Sequence, residues 1–171
     1  QGAEYILNEQ VIANWQASDN LSGIASLTGT VLSGNPIDTS SVGLKSFNVT
    51  ATDKAGNSVN QTVTYNVRYS YGGILPPINQ DGSSIFKLRR VVPVKFQLKD
   101  NAGNYISTAV ARIYLNKISN NVVGSQIEAE SVGEANTGNL FRYSTTDNQH
   151  IFNLGTNNLS VGTWQIRIEL D

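Results

Sequence analysis

Apolar and polar residues alternate with period two along much of this 171-residue chain. Runs of that kind, broken by Gly, Asn, Asp and Ser clusters, predict an all-β protein without a helix of ordinary length. In residues 11–18, Val11, Ala13, Trp15 and Ala17 share one face, which predicts a half-buried strand with Trp15 in a core. Residues 24–30 form a weaker strand candidate after a loop at 19–23. From Leu44 onward Phe47, Val49 and Ala51 point inward, and after a turn Val59, Val63, Tyr65, Val67 and Tyr69 do the same. Further on, Val92, Val94, Phe96 and Leu98 form an inner face, with Pro93 inside the run marking an edge strand or a strand start. Ala109, Ala111, Ile113 and Leu115 follow. Residues 140–143 and 150–154 bracket a turn, and Trp164, Ile166, Ile168 and Leu170 close the chain. Residues 128–139, with three Glu and two Gly, read as a loop or flap.

Two turns share one pattern. Asp53-Lys54-Ala55-Gly56-Asn57 and Asp100-Asn101-Ala102-Gly103-Asn104 each follow an alternating run. The Gly can take the left-handed conformation of a short hairpin, and the Asp can bond its own backbone two residues on. The flanks differ, so the two turns point to related β-modules and not to a solenoid. Gly72-Gly73, Pro76-Pro77 and Asp81-Gly82-Ser83-Ser84 interrupt the pattern between them. The expected division is therefore residues 1–70 and 71–171: two tandem β-sandwich modules, each near the lower size limit for an independent core.

Composition narrows the chemistry. Charged residues make up 15%, against about 25% in an ordinary soluble domain. Asn, Gln, Ser and Thr supply 59 of the 171 residues, a wetted surface common outside cells. Without Cys there is no disulfide, Cys-ligated metal or thiol nucleophile, and a lone His150 leaves most zinc sites and hydrolytic triads without parts. A net charge of -1 gives no footprint for nucleic acid, and no apolar run approaches the roughly 18 residues of a membrane span. No cofactor and no catalytic residue is expected. The absence of Met and of a signal peptide, and a last strand that runs to Asp171, suggest a processed piece of a longer protein.

Val92-Pro93-Val94-Lys95-Phe96, with Tyr71-Gly72-Gly73 and Pro76-Pro77 before it and Val161-Gly162-Thr163-Trp164-Gln165-Ile166 at the end, resembles the PxKF domain. The motif residues are Pro93, Lys95 and Phe96, and residues 128–139 align least well. Ala17-Ser18-Asp19, Ser22-Gly23-Ile24 and the run from Phe47 to Asp53 leading into Ala55-Gly56-Asn57 resemble the immunoglobulin-like domains of large prokaryotic surface proteins. Together these resemblances imply two immunoglobulin-like modules, the second of the PxKF kind. They imply a secreted or cell-surface prokaryotic protein with a non-catalytic role in a filament, stalk, surface layer or adhesion.

Candidate sites follow from residue type. Asp19, Asp53 and Asp100 sit where Ca²⁺ could be held, but calcium needs 6–8 oxygen ligands and turn formation explains them. Glu128, Glu130 and Glu134 read as a solvated acidic loop in preference to a metal or acid/base cluster. Lys95 reads as an outward Lys blunting an edge strand. Lys87, Arg89 and Arg90 form the one basic run, too short for nucleic acid. Tyr69, Tyr71, Tyr105, Tyr114, Tyr143 and Trp164 are candidates for a sugar-stacking platform, Tyr105 and Tyr114 foremost, which would make the chain an accessory carbohydrate-binding module of a hydrolase. His150 reads as an isolated strand residue. Sequons at Asn20, Asn48, Asn60 and Asn158 are open to glycosylation. Tyr5, Ile6 and Leu7 form a short apolar strand. It is expected to be buried, on its own module or by strand addition to a neighbouring module or identical subunit.

Overall fold

The computed structural model describes residues 2–132 and 136–170. The described chain is all-β, with no helix and strands in three sheets, as the alternation predicts. It divides into two compact units, residues 1–70 with Lys99–Asn104, and Tyr71–Leu98 with residues 105–171. Glu134 lies outside the described residues.

The first unit holds β1 (Ala3–Ile6), β2 (Ile24–Gly29), β3 (Gly43–Asp53) and β4 (Ser58–Arg68). They form one sheet in the order β1-β4-β3-β2, with β1 parallel to β4 and the other pairs antiparallel. The inner face buries Phe47, Ala51, Tyr65 and Val67 with Leu7 and Ala13. An irregular segment folds over that face: Tyr65 Oη donates to the Asp38 carbonyl, and Thr39 Oγ1 to the Glu9 carbonyl.

Two sequence expectations fail here. Residues 11–18 form no strand, only a bridge from Ile12 to Pro36. Their backbone bonds go to a loop instead, Ala13 N to Asn35 O and Ile37 N to Val11 O. The alternation is genuine, since Ala13 is buried and Asn14 exposed, but its partner is not a strand. Trp15 is half-buried because its indole N–H reaches out to the Val31 carbonyl. The second failure concerns Val59 and Val63. They have the inward parity but stay 65% and 53% exposed, although Phe47 and Ala51 opposite them on β3 are buried, so the cover reaches β3 but not this part of β4.

The second unit has two sheets sharing one core, consistent with a β-sandwich. β5 (Ser70–Leu75), β6 (Val91–Lys99), β9 (Arg142–Ser144) and β10 (Gln149–Gly155) run in the order β5-β6-β10-β9. β7 (Ala111–Ser119), β8 (Val122–Glu128) and β11 (Thr163–Leu170) run β11-β7-β8. Val92, Val94, Phe152 and Leu154 from one sheet meet Ile113 and Leu115 from the other, with Trp164, Ile166 and Ile168 packed against them.

β6 is an interior strand, which corrects the edge reading of Pro93 and Lys95. Pro93 faces Asn153 on β10, whose N–H donates to Asn136 Oδ1 and whose carbonyl accepts from Val132 N. Both Asn153 groups therefore turn away from β6, and the missing N–H of Pro93 removes nothing from that ladder. β5 and β8 were hidden in sequence, one by Gly72-Gly73 and the other by weak alternation.

Candidate functional site

The two Asp-x-Ala-Gly-Asn turns fold as the residues demand. Gly56 and Gly103 have φ of 93° and 86°, the left-handed region open to glycine. Asp53 Oδ1 accepts the Asn57 N–H at 2.8 Å and Oδ2 accepts the Asn57 amide at 2.8 Å. Asp100 repeats both bonds to Asn104, at 2.9 and 3.0 Å. It also accepts from Asn8 Nδ2, while Asn101 N donates to the Leu7 carbonyl, which fastens this hairpin inside the first unit. These bonds hold both carboxyls below their ordinary value, the Asn side-chain amide contributing most. Asp19 is lowered by the Leu21 N–H and the Ser22 hydroxyl, and Asp81 by Ser83. Asp38 is lowered furthest, by Lys45 at 2.8 Å and by Ser40. The carboxylates held most firmly as anions thus close loops of the fold.

The sequons lie on exposed positions. Asn48 and Asn60 are brought together: Asn48 faces Thr62 and Thr50 faces Asn60 across β3 and β4. Thr62 Oγ1 donates to Asn48 Oδ1 at 2.6 Å, and Asn60 Nδ2 to Thr50 Oγ1 at 2.8 Å. Each sequon's hydroxyl residue is the partner of the other sequon's Asn. Spacing along the chain does not reveal this, since it depends on the hairpin register. Asn20 stands apart in its loop, and Asn158 donates to Glu130 Oε2 at 2.6 Å.

The other candidates disperse. Glu128 ends β8, and Ala129 beside it is buried. Ser131 bridges to Leu154, and the Asn136 amide donates to the Leu140 and Ile151 carbonyls, so the described ends of this loop are pinned. Among the described residues, no group of three His, Cys, Asp or Glu side chains is placed to hold a metal. Lys95 is half-buried opposite Ile151.

His150 is not an isolated strand residue. It is 1% exposed, with Nε2 3.0 Å from the Ile106 carbonyl and its ring stacked on Phe96 at 4.9 Å. Phe96 also meets Tyr71 and Phe141 edge-on, which makes the motif Phe the centre of an aromatic cluster. Tyr143 lies edge-on to His150, and Trp164 Nε1 donates to the Ser160 carbonyl. Tyr71 and Tyr105 are exposed; Tyr69, Tyr114 and Tyr143 are half-buried.

Tyr5, Ile6 and Leu7 lie on their own unit. Leu7 is buried, Tyr5 and Ile6 are half-buried, and the Tyr5 ring packs edge-on against Tyr65 at 5.8 Å. Ile6 N donates to Glu9 Oε2 and its carbonyl accepts from Glu9 N, so Ile6 faces away from β4. Leu7 N donates to the Arg68 carbonyl at 2.8 Å, and by alternation Ala3 and Tyr5 face β4 as well. No family model matches the chain, and a search of curated proteins finds no match.

Proposed function

We propose that the chain is a non-catalytic structural piece of a secreted or cell-surface prokaryotic protein: an immunoglobulin-like module followed by a PxKF-like one, serving a filament, stalk, surface layer or adhesive assembly. The observation that carries this reading is the pairing of β1 with β4. The first strand of the unit lies parallel to its last, from Ala3 opposite Tyr65 to Ile6 opposite Arg68. Tension applied at Gly2 and Ser70 pulls the two strands past each other along their length. Their cross-strand hydrogen bonds are then loaded together and not one after another, the arrangement suited to a unit that transmits force.

A second reading, an accessory carbohydrate-binding module of a secreted hydrolase, draws on the exposed rings of Tyr71 and Tyr105. Screening the protein on immobilised polysaccharides and for their hydrolysis separates the two. The structural reading expects neither retention nor cleavage. Retention abolished by Tyr105→Ala, with the melting temperature unchanged, would favour the glycan module and contradict it.

A further inference from the structure

Unpaired strand edges invite another strand, and folded proteins blunt them with short strands, bulges, charges or covering side chains. Among the described residues, most borders of this chain carry such a device. β1 has four residues and holds Glu4. β2 shifts register between Ile24 and Ser26, and the β7–β8 pair between Asn116 and Ile118. The Gln80 amide covers β5 by donating to the Gly72 and Ile74 carbonyls at 3.2 and 3.3 Å. β9 has three residues including Arg142, and β11 carries Arg167 and Glu169.

Residues 58–64 of β4 carry none. β1 pairs with β4 from Tyr65 onward, so this stretch has β3 on one side and no described strand on the other. All seven residues are exposed, none is charged, and their register with β3 is unbroken. Asp53 N donates to Asn57 O, which makes that pair hydrogen-bonded; by alternation Val59, Gln61 and Val63 bond to β3. The N–H and C=O groups of Ser58, Asn60 and Thr62 therefore point outward, on the side where the Arg68 carbonyl receives Leu7 N.

We propose that this half-edge receives the same residues, 58–62, of a second copy of the chain, antiparallel about a two-fold axis at Asn60. The inference deepens the structural reading by naming one contact through which such a protein assembles. An uncharged stretch opposes no like charges when paired with itself, and an isologous contact closes as a dimer. The register is set by Gly2, whose backbone lies so close to the Thr64 carbonyl that a Cβ there would overlap it. An incoming hairpin must stop short of Thr64, and an axis at Asn60 brings Ser58 of the second copy opposite Thr62. Ser58 with Thr62, Asn60 with its counterpart, and Thr62 with Ser58 then form a ladder of about six hydrogen bonds. Val59 and Gln61 face each other in the intervening closer pairs. Asn60 also begins a sequon, so a glycan there would stand on the axis, and unglycosylated protein is the species to test.

The chain has no native Cys, so cross-linking has no background. In a non-hydrogen-bonded pair the Cα atoms lie about 4.5 Å apart, within disulfide reach. Val59→Cys/Gln61→Cys is expected to form a reducible covalent dimer on mild oxidation, whereas Thr28→Cys, on another strand, is not. Sedimentation of the wild type should show a concentration-dependent dimer, and Asn60→Lys should weaken it at least tenfold with the melting temperature unchanged at dilutions where both are monomeric. A wild type that stays monomeric would overturn the proposal, as would a Val59→Cys/Gln61→Cys variant that forms no disulfide dimer. So would association that Asn60→Lys leaves unaltered. Neither result bears on glycan retention, which tests the broader reading separately.

Discussion

Phe96 lies on the inner face of β6 with Tyr71, Phe141 and His150 around its ring. Phe96→Ala should cost about 3–5 kcal/mol in denaturant unfolding, since a ring this enclosed leaves a cavity; a loss under 1 kcal/mol would mean the cluster collapses to fill it. Asp53 and Asp100 act on the loops instead. Their folded values lie below the ordinary 3.8. Such groups stabilise the fold above about pH 4, and that contribution is lost as pH falls through the folded value. The melting temperature of Asp53→Asn/Asp100→Asn should therefore fall less than that of the wild type between about pH 5 and pH 2. Parallel acid slopes would rule out these turns as the acid-sensitive points. The turn chemistry was legible in sequence because Asp, Gly and Asn act on their own backbone. The packing of His150 was not, because its contacts, Ile106 and Phe96, come from distant positions.

At the scale of elements, side-chain parity was legible and cover was not. β3, β6, β7 and β11 follow their alternation, whereas Val59 and Val63 share the parity of Tyr65 and Val67 yet face water. Period two states which residues share a face; it does not state which strands of that face are covered, and here Phe47 and Ala51 on β3 are while Val63 and Val59 opposite them are not. Pro93 misled for a related reason, since in its pair with Asn153 the β10 strand asks for no donor. The β1–β4 pairing permits a residue-resolved test. Its register sends the Asn66 and Arg68 N–H groups toward β1, and those of Tyr65 and Val67 toward β3. Deleting residues 1–7 should speed amide hydrogen exchange at Asn66 and Arg68 far more than at Tyr65 and Val67. Equal acceleration would mean that β1 holds the whole sheet together, and no change would make it a mere linker.

For the molecule as a whole, the sequence sufficed for an all-β chain, and what the structure adds is that the hairpin Lys99–Asn104 belongs to the first of two compact units. That hairpin belongs by sequence to the run that begins with β6, and only the bonds from Leu7 and Asn8 reveal where it docks. The proposed structural role is a claim about load, which in the first unit would enter through the parallel pair β1–β4. Single-molecule pulling of the full chain tests it most directly, comparing Tyr5→Pro, Tyr5→Ala and Glu4→Pro. Tyr5→Pro removes an N–H that faces β4; Tyr5→Ala removes only the ring on Tyr65; Glu4→Pro removes an N–H on the far side together with the exposed Glu4–Arg68 ion pair. If β1–β4 bears the load, the unfolding force of the first unit falls well below that of Tyr5→Ala in Tyr5→Pro and stays near the wild-type value in Glu4→Pro. Equal forces for Tyr5→Pro and Tyr5→Ala would contradict it.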